Sequence, residues 1–167
     1  QRTNVFDYSD DFTQWAAVQS PTLTNNATTS PDGTTNATEI LPSASNSRVQ
    51  FSLGTLAAGT YTQSLFVKYK DADLVMRFRN NAFGTASFNI TSSGVTLNSS
   101  PKPTTIEDMG NGWFRISITY TSNGTSLSFA QIYGDQNAGF DSYYMWGAQF
   151  EEGSYATSYI PTSGSTV

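Results

Sequence analysis

The sequence predicts an all-β fold, a two-sheet antiparallel β-sandwich of jelly-roll type. Apolar and polar residues alternate with a period of two in short runs, and turn signals separate the runs. No stretch keeps a helical period for three turns. Charged residues make up only 13 % of the 167, against about 25 % in a typical globular protein. Ser, Thr, Asn and Gly take their place, and aromatics reach 14 %. That balance suits polar turns joining strands whose packing mass is aromatic.

The elements follow in chain order. Val5-Phe6, Thr22-Leu23, 37–41 and 48–53 are strand candidates at the N-terminal end. A Thr/Asn/Ser tract over 24–36 carries the turn sequence Pro31-Asp32-Gly33-Thr34. Gly59-Thr60 opens the run 61–69, and Asp71-Ala72-Asp73 turns it into 74–79, expected as its hairpin partner. Residues 80–84 turn into a strand at 86–90, and Ser93-Gly94 leads into 95–97. Residues 99–105 hold two prolines and read as loop. Asn111-Gly112 launches 113–121, and Ser122-Asn123-Gly124 turns it into 126–133. The last long strand is 142–150, and 153–167 read as an irregular tail or linker. Roughly nine or ten short strands at this spacing make one sandwich domain over 1–167.

Composition also limits the chemistry. The net charge of −5 argues against nonspecific binding to nucleic acid or an anionic membrane surface. No apolar run approaches the roughly 20 residues of a membrane-spanning helix. The chain contains no Cys and no His, so thiol nucleophiles, Ser-His-Asp triads, imidazole acid–base catalysis and zinc sites built on His or Cys are absent. Because it begins at Gln1 without Met, the chain is expected to be a mature protein or an excised module.

Alternation assigns the strand faces. In 61–70, Tyr61, Gln63, Leu65, Val67 and Tyr69 should face the core, leaving Thr62, Ser64, Phe66, Lys68 and Lys70 outward. Leu74, Met76 and Phe78 point inward, and Val75, Arg77 and Arg79 outward. In 113–121 the inward set is Phe114, Ile116, Ile118 and Tyr120, and the outward set includes Trp113 and Arg115. Tyr144, Trp146, Ala148 and Phe150 are expected in the core, with Tyr143, Met145 and Gln149 outward. Trp15 is expected to pack in a loop or at a sheet end.

Lys68, Lys70, Arg77, Arg79 and Arg115 are five of the eight basic residues, and all fall on outward positions together with Phe66 and Trp113. If these strands are neighbours, a net-acidic protein carries a basic groove with an aromatic platform. The alternative is ordinary solvated strand positions, with Lys and Arg protecting sheet edges. The carboxylates offer no catalytic pair. Glu107-Asp108 and Glu151-Glu152 are adjacent, so on a strand they point to opposite faces, whereas a glycosidase pair must flank one substrate.

Three segments resemble a family of β-sandwich modules found in phage head-spike and tail-fibre proteins and in secreted bacterial polysaccharide-degrading enzymes. The first is 4–15 (NVFDYSDDFTQW), followed by Pro31-Asp32-Gly33-Thr34. The second is 59–68 (GTYTQSLFVK). The last comprises Asn111-Gly112-Trp113-Phe114-Arg115 and 146–151 (WGAQFE), closing with 157–162 (TSYIPT). The shape is similar to the jelly-roll carbohydrate-binding modules of families 4, 9, 16 and 22.

The resemblance implies a secreted, noncatalytic polysaccharide-binding domain appended to a glycanase or lyase. Its ligand-binding candidates are Phe66, Lys68, Arg77, Arg79, Trp113, Arg115, Tyr143 and Gln149. An aromatic ring stacks on the C–H face of a sugar while Arg, Lys and Gln bond hydroxyl or acid groups. The basic bias favours an acidic glycan, uronate or sulfated. Related sandwiches often hold a structural calcium ion near the joined chain ends, for which Asp7, Asp10, Asp11 and Glu151 are the candidates. The resemblance leaves open a structural or receptor-binding domain of a phage fibre, and then a weak polysaccharide lyase using Tyr and Arg. The carboxylate pattern of jelly-roll glucanases and the strand motifs of jelly-roll alginate lyases are absent.

Overall fold

The computed structural model describes residues 2–167. Twelve strands form among them: β1 (Ala16–Val18), β2 (Thr22–Thr28), β3 (Ala37–Leu41), β4 (Arg48–Thr55), β5 (Gly59–Lys68) and β6 (Leu74–Asn80), then β7 (Gly84–Thr91), β8 (Gly94–Ser99), β9 (Thr104–Gly110), β10 (Trp113–Ser122), β11 (Leu127–Asp135) and β12 (Tyr143–Glu152). A single 3-10 turn, Phe12–Gln14, precedes them and is capped by the Asp11 side chain. The strands divide into two six-stranded antiparallel sheets. The front sheet runs β1-β4-β11-β6-β7-β8 and the back sheet β2-β3-β12-β5-β10-β9. This is the all-β sandwich that the alternation predicts.

The two sheets bury one apolar core. Leu65, Val67, Ile116, Ile118 and Tyr120 from the back sheet meet Met76, Phe78, Phe88, Ile90 and Ile132 from the front, all nearly or fully buried. Each such side chain contributes roughly 1.5–3 kcal/mol of transfer free energy. An aromatic plug closes one end, where Phe6 lies 4.7 Å from Trp15 and 5.8 Å from Phe150, ring centre to ring centre. Trp15 packs there as expected.

Several expectations are corrected. β5 and β6 are not a hairpin: residues 69–73 carry the chain from the back sheet to the front. The turn after β10 likewise crosses between sheets rather than pairing β10 with β11. Residues 104–110, read partly as loop because of the preceding prolines, form edge strand β9 and pair with β10. Asn111 and Gly112 both take positive φ, 55° and 81°, the geometry of a tight two-residue hairpin turn. Val5-Phe6 is not a strand, although Val5 N–H donates to Phe150 O at 2.8 Å.

The face assignment of β12 is half wrong for a local reason. Gly147 sits at φ +64° in an irregularity between Trp146 and Gln149, which inserts extra backbone and shifts the alternation. Tyr143 and Met145 therefore enter the core, and Tyr144 and Trp146 join the outer aromatic cluster of the back sheet. Beyond the bulge Ala148 and Phe150 face the core, as expected.

The C-terminal segment is stitched to the back sheet and to the chain start. Thr157 N–H donates to Glu151 Oε2 at 3.1 Å, and Ile160 N–H to Gln149 Oε1 at 2.7 Å. Thr162 N–H donates to Ser9 Oγ at 2.8 Å, and Gly164 N–H to Asp7 O at 2.8 Å. Tyr8 and Ser163 form an isolated antiparallel bridge.

Candidate functional site

The sandwich has two outer faces, and the structure divides the expected site residues between them. Phe66, Lys68, Trp113, Arg115 and Gln149 lie on the outer back face. Arg77 and Arg79 lie on the outer front face, because β6 belongs to the other sheet. Tyr143 reaches neither face: it is fully buried, and its hydroxyl donates to Tyr133 O at 2.7 Å. Burial raises its phenol well above the usual range, reinforced by the Asp135 charge. The single groove expected from Lys68, Lys70, Arg77, Arg79 and Arg115 with Phe66 and Trp113 is therefore not formed, because β6 lies in the other sheet from β5 and β10.

On the back face these side chains serve the fold. Phe66, Trp113 and Trp146 are 2–3 % exposed and cluster with Ala37 under Tyr144 and Tyr159. Trp113 Nε1 donates to Thr29 O at 3.0 Å, which ties the 29–36 loop to β10. That loop is shaped by Asp32, which accepts from Thr34 N–H at 2.8 Å and Ser30 Oγ at 2.6 Å. Tyr159 packs on Trp146 at 4.4 Å and is held by Ser9. Arg115 is 6 % exposed, donates to Thr157 O at 2.5 Å and Ser64 Oγ at 3.0 Å, and stands 5.1 Å over the Phe66 ring. Burial lowers its pKa, opposed by Glu151 and Glu107. Gln149 is fully buried between Glu151 and the tail. Lys68 is partly exposed, 5.9 Å from the Trp113 ring.

The four calcium candidates each have protein partners of their own. Among the described residues no three acidic side chains gather closely enough to share an ion. The buried Glu151 carboxylate accepts from Thr157 N–H, Thr157 Oγ1 and Gln149, and pairs with Arg2 at 3.2 Å. Asp11 is occupied by Thr13 and Asn25, and those hydrogen bonds, Thr13 first, lower its pKa. Asp10 is raised by burial, against its own backbone N–H, and by the charges of Asp11 and Asp32. Asp7 enters the junction through its backbone carbonyl, which accepts from Gly164.

The front face is arranged differently. Register places Gln50, Gln131, Arg79 and Thr85 in one row across β4, β11, β6 and β7. The next row begins with Arg48 and Tyr133, continued on the neighbouring strands by Arg77 and Ser87. Tyr133 is the hub. Arg79 Nη1 donates to its hydroxyl at 3.1 Å, and the guanidinium carbons of Arg48 and Arg77 lie 5.3 and 6.0 Å from its ring centre. Arg48 Nε and Gln131 Nε2 both donate to Gln50 Oε1 at 3.1 Å, while Gln131 Oε1 has no partner among the described residues. No carboxylate lies within ion-pair distance of these three arginines among the described residues.

Sequence reasoning finds Arg77 and Arg79 but misses Arg48, Gln50, Gln131 and Tyr133. Their outward alternation is plain in 48–53 and 129–133. What the alternation lacks is the information that β4, β11 and β6 are neighbours.

No model of a known protein family matches this sequence, and no curated protein matches it. Among solved structures the fold is similar to that of the N-terminal endo-1,4-β-D-xylanase 10B of Clostridium thermocellum, whose CBM22-1–GH10 modules were solved with xylohexaose. The TM-score is 0.56 at 14 % identity, over 95 % of this chain and 29 % of that chain. At this identity the likeness is one of fold. The chain spans less than a third of that protein's chain.

Proposed function

We propose that the domain is a noncatalytic polysaccharide-binding module whose ligand lies on the outer front face and is acidic. The observation that carries this reading is the group of Arg48, Arg77 and Arg79 around Tyr133, with no carboxylate at ion-pair distance among the described residues, on a protein of net charge −5. Like charges held together repel, and an anionic partner relieves that cost. Guanidinium forks match carboxylate and sulfate geometry. Gln50 beside them is partly exposed and supplies an amide of the kind that hydroxyl groups need.

Two observations support a binding role over catalysis. The two rows present Arg, Gln, Tyr, Ser and Thr, with no Asp or Glu to form an acid–base pair. The chain also has no His or Cys. The likeness to a carbohydrate-binding-module fold adds weight, and with it the proposal that the domain works outside the cell. There it holds an attached glycanase or lyase at its polymer by raising the local concentration.

The test is calorimetric titration with acidic and neutral polysaccharides. Acidic chains should bind, more weakly as salt rises, since exposed charges are screened over about 8–10 Å at physiological ionic strength. Arg79→Ala should cost roughly 1.5–3 kcal/mol, the range for a hydrogen bond to a charged group. Tight, salt-insensitive binding to a neutral glycan, untouched by Arg79→Ala, overturns the reading. Steady release of unsaturated products by the pure protein would instead establish a lyase.

A further inference from the structure

We infer that the ligand of the front face carries more than one anion per sugar ring, so that it is a densely sulfated polysaccharide and not a uronan. This rests on the binding face proposed above and names the charge density of its ligand. The three arginines do not form a string of separate contacts. Arg48 and Arg77 stand on strands either side of β11, about 10 Å apart at the backbone for a strand spacing of about 4.8 Å. Their charged ends nevertheless lean toward the same ring, within 5.3 and 6.0 Å of its centre, and the third guanidinium bonds that ring's hydroxyl. Three permanent positive charges thus converge on one phenol.

Their bonds to the protein leave capacity for ligand. Arg48 uses Nε on Gln50 and Nη1 on Asn46 O, and Arg79 uses Nη1 on Tyr133. A guanidinium has five N–H donors, so each keeps some free. All of their protein acceptors are neutral, and none of the three arginines has an ion-pair partner among the described residues. On the back face the contrast is plain. Arg115 has Glu151 and Glu107 near enough to oppose its loss of charge, and Arg2 pairs with Glu151.

A uronan has one carboxylate per ring. In an extended chain whose rings alternate in orientation, every second carboxylate turns away from a flat sheet. Such a chain would set one acid group over the hub and leave most of the guanidinium charge unmatched. A ring bearing two sulfate esters, beside a second sulfated ring, sets several oxyanions in the same footprint. Sulfate also keeps its charge at every pH where the fold is studied, as the arginines do.

The experiment titrates the intact domain with three polymers at matched ionic strength: a galactan sulfated at more than one position per ring, polyguluronate, and neutral dextran. Wild type is compared with Arg77→Gln, Arg79→Gln and, as a control on an exposed base outside the two rows, Lys102→Gln, each checked by circular dichroism for an unchanged fold. The sulfated galactan is expected to bind at least tenfold tighter than polyguluronate, with the steeper salt dependence. Arg77→Gln and Arg79→Gln should each weaken it at least fivefold, and Lys102→Gln should leave it unchanged. Polyguluronate binding as tightly as the sulfated galactan overturns the inference while leaving the acidic-glycan reading intact. If neither acidic polymer binds, or if the arginine variants bind the galactan like wild type, both fall.

Discussion

The two outer faces of this sandwich start from the same sequence pattern and end in opposite states. Each places an arginine and aromatic rings on alternate outward positions of adjacent strands. On the back sheet, Arg115 and Trp146 are sealed under the tail and the 29–36 loop. On the front sheet, Arg77 and Arg79 stay partly exposed, and the acceptors Arg79 and Arg48 find there are neutral. The difference lies in chain routing. Both chain ends run over the back sheet, and hydrogen bonds such as Thr162 Oγ1 to Phe6 O at 2.6 Å lock them there. An outward arginine or tryptophan on a strand therefore stays open to a ligand only where nothing returns to cover it.

The comparison breaks most visibly at Trp146. Trp146→Ala should cost about 3–5 kcal/mol in urea unfolding, the usual cost of removing a buried large aromatic. The fraction still folded should keep its affinity for acidic glycan. Loss of binding without loss of stability would move the site to the back face. Arg79→Ala is the converse, with affinity falling by roughly 1.5–3 kcal/mol and stability changing by less than about 1 kcal/mol.

A third variant tests the hinge between the two readings of β12. At Gly147, φ is +64°, and an added Cβ would meet the Phe66 ring at 2.9 Å. Gly147→Ala should destabilise by more than about 1 kcal/mol, combining backbone strain with a steric clash. Thermal unfolding measures this, and a neutral result would mean that the bulge is not what turns Trp146 outward.

The smallest effect concerns the ion pair of Lys70 with Glu39 at 2.7 Å, at the rim of the back sheet. Burial opposes ionisation of Glu39, but hydrogen bonds from Lys70 and Ser142, with the Lys70 charge, hold its pKa below the ordinary value. Its contribution is present above the unfolded-state pKa and is lost as pH falls through the lowered folded one. The Glu39 hydrogen bond raises the Lys70 pKa, so that contribution is full below the unfolded value and is lost as pH rises through the raised one. Glu39→Gln should cost about 0–1 kcal/mol at neutral pH, as exposed pairs do. It should also flatten the acid limb of a stability–pH profile. A larger loss would give the covered face's rim an electrostatic role that this comparison denies it.

Much of the fold is legible in the sequence, and little of the site is. Alternation names the inward residues of β5, β6 and β10 almost without error, because burial on one face of a pleated strand enforces a period of two. It fails at β12 because one glycine at positive φ shifts the phase, and Gly147 carries no mark in sequence of the conformation it adopts. It overlooks β9, whose exposed positions 105 and 107–110 give weak hydrophobic contrast at a sheet edge. The candidate site needs a further kind of information. Arg77 and Arg79 are recognisable as outward, but their partners Arg48 and Tyr133 lie 29 and 56 positions from Arg77 in the chain and meet it only through sheet order.

By itself the sequence determines the sandwich, the inward set that drives its collapse, and the lack of His and Cys that closes off imidazole and thiol chemistry. These are local or compositional properties, set by side-chain period and residue type. Tertiary structure alone decides which strands are neighbours, which outer face the chain ends cover, and which basic residues converge. Those outcomes depend on contacts between segments far apart in the chain. The same outward alternation thus buries Arg115 beneath the tail and leaves three arginines gathered around Tyr133.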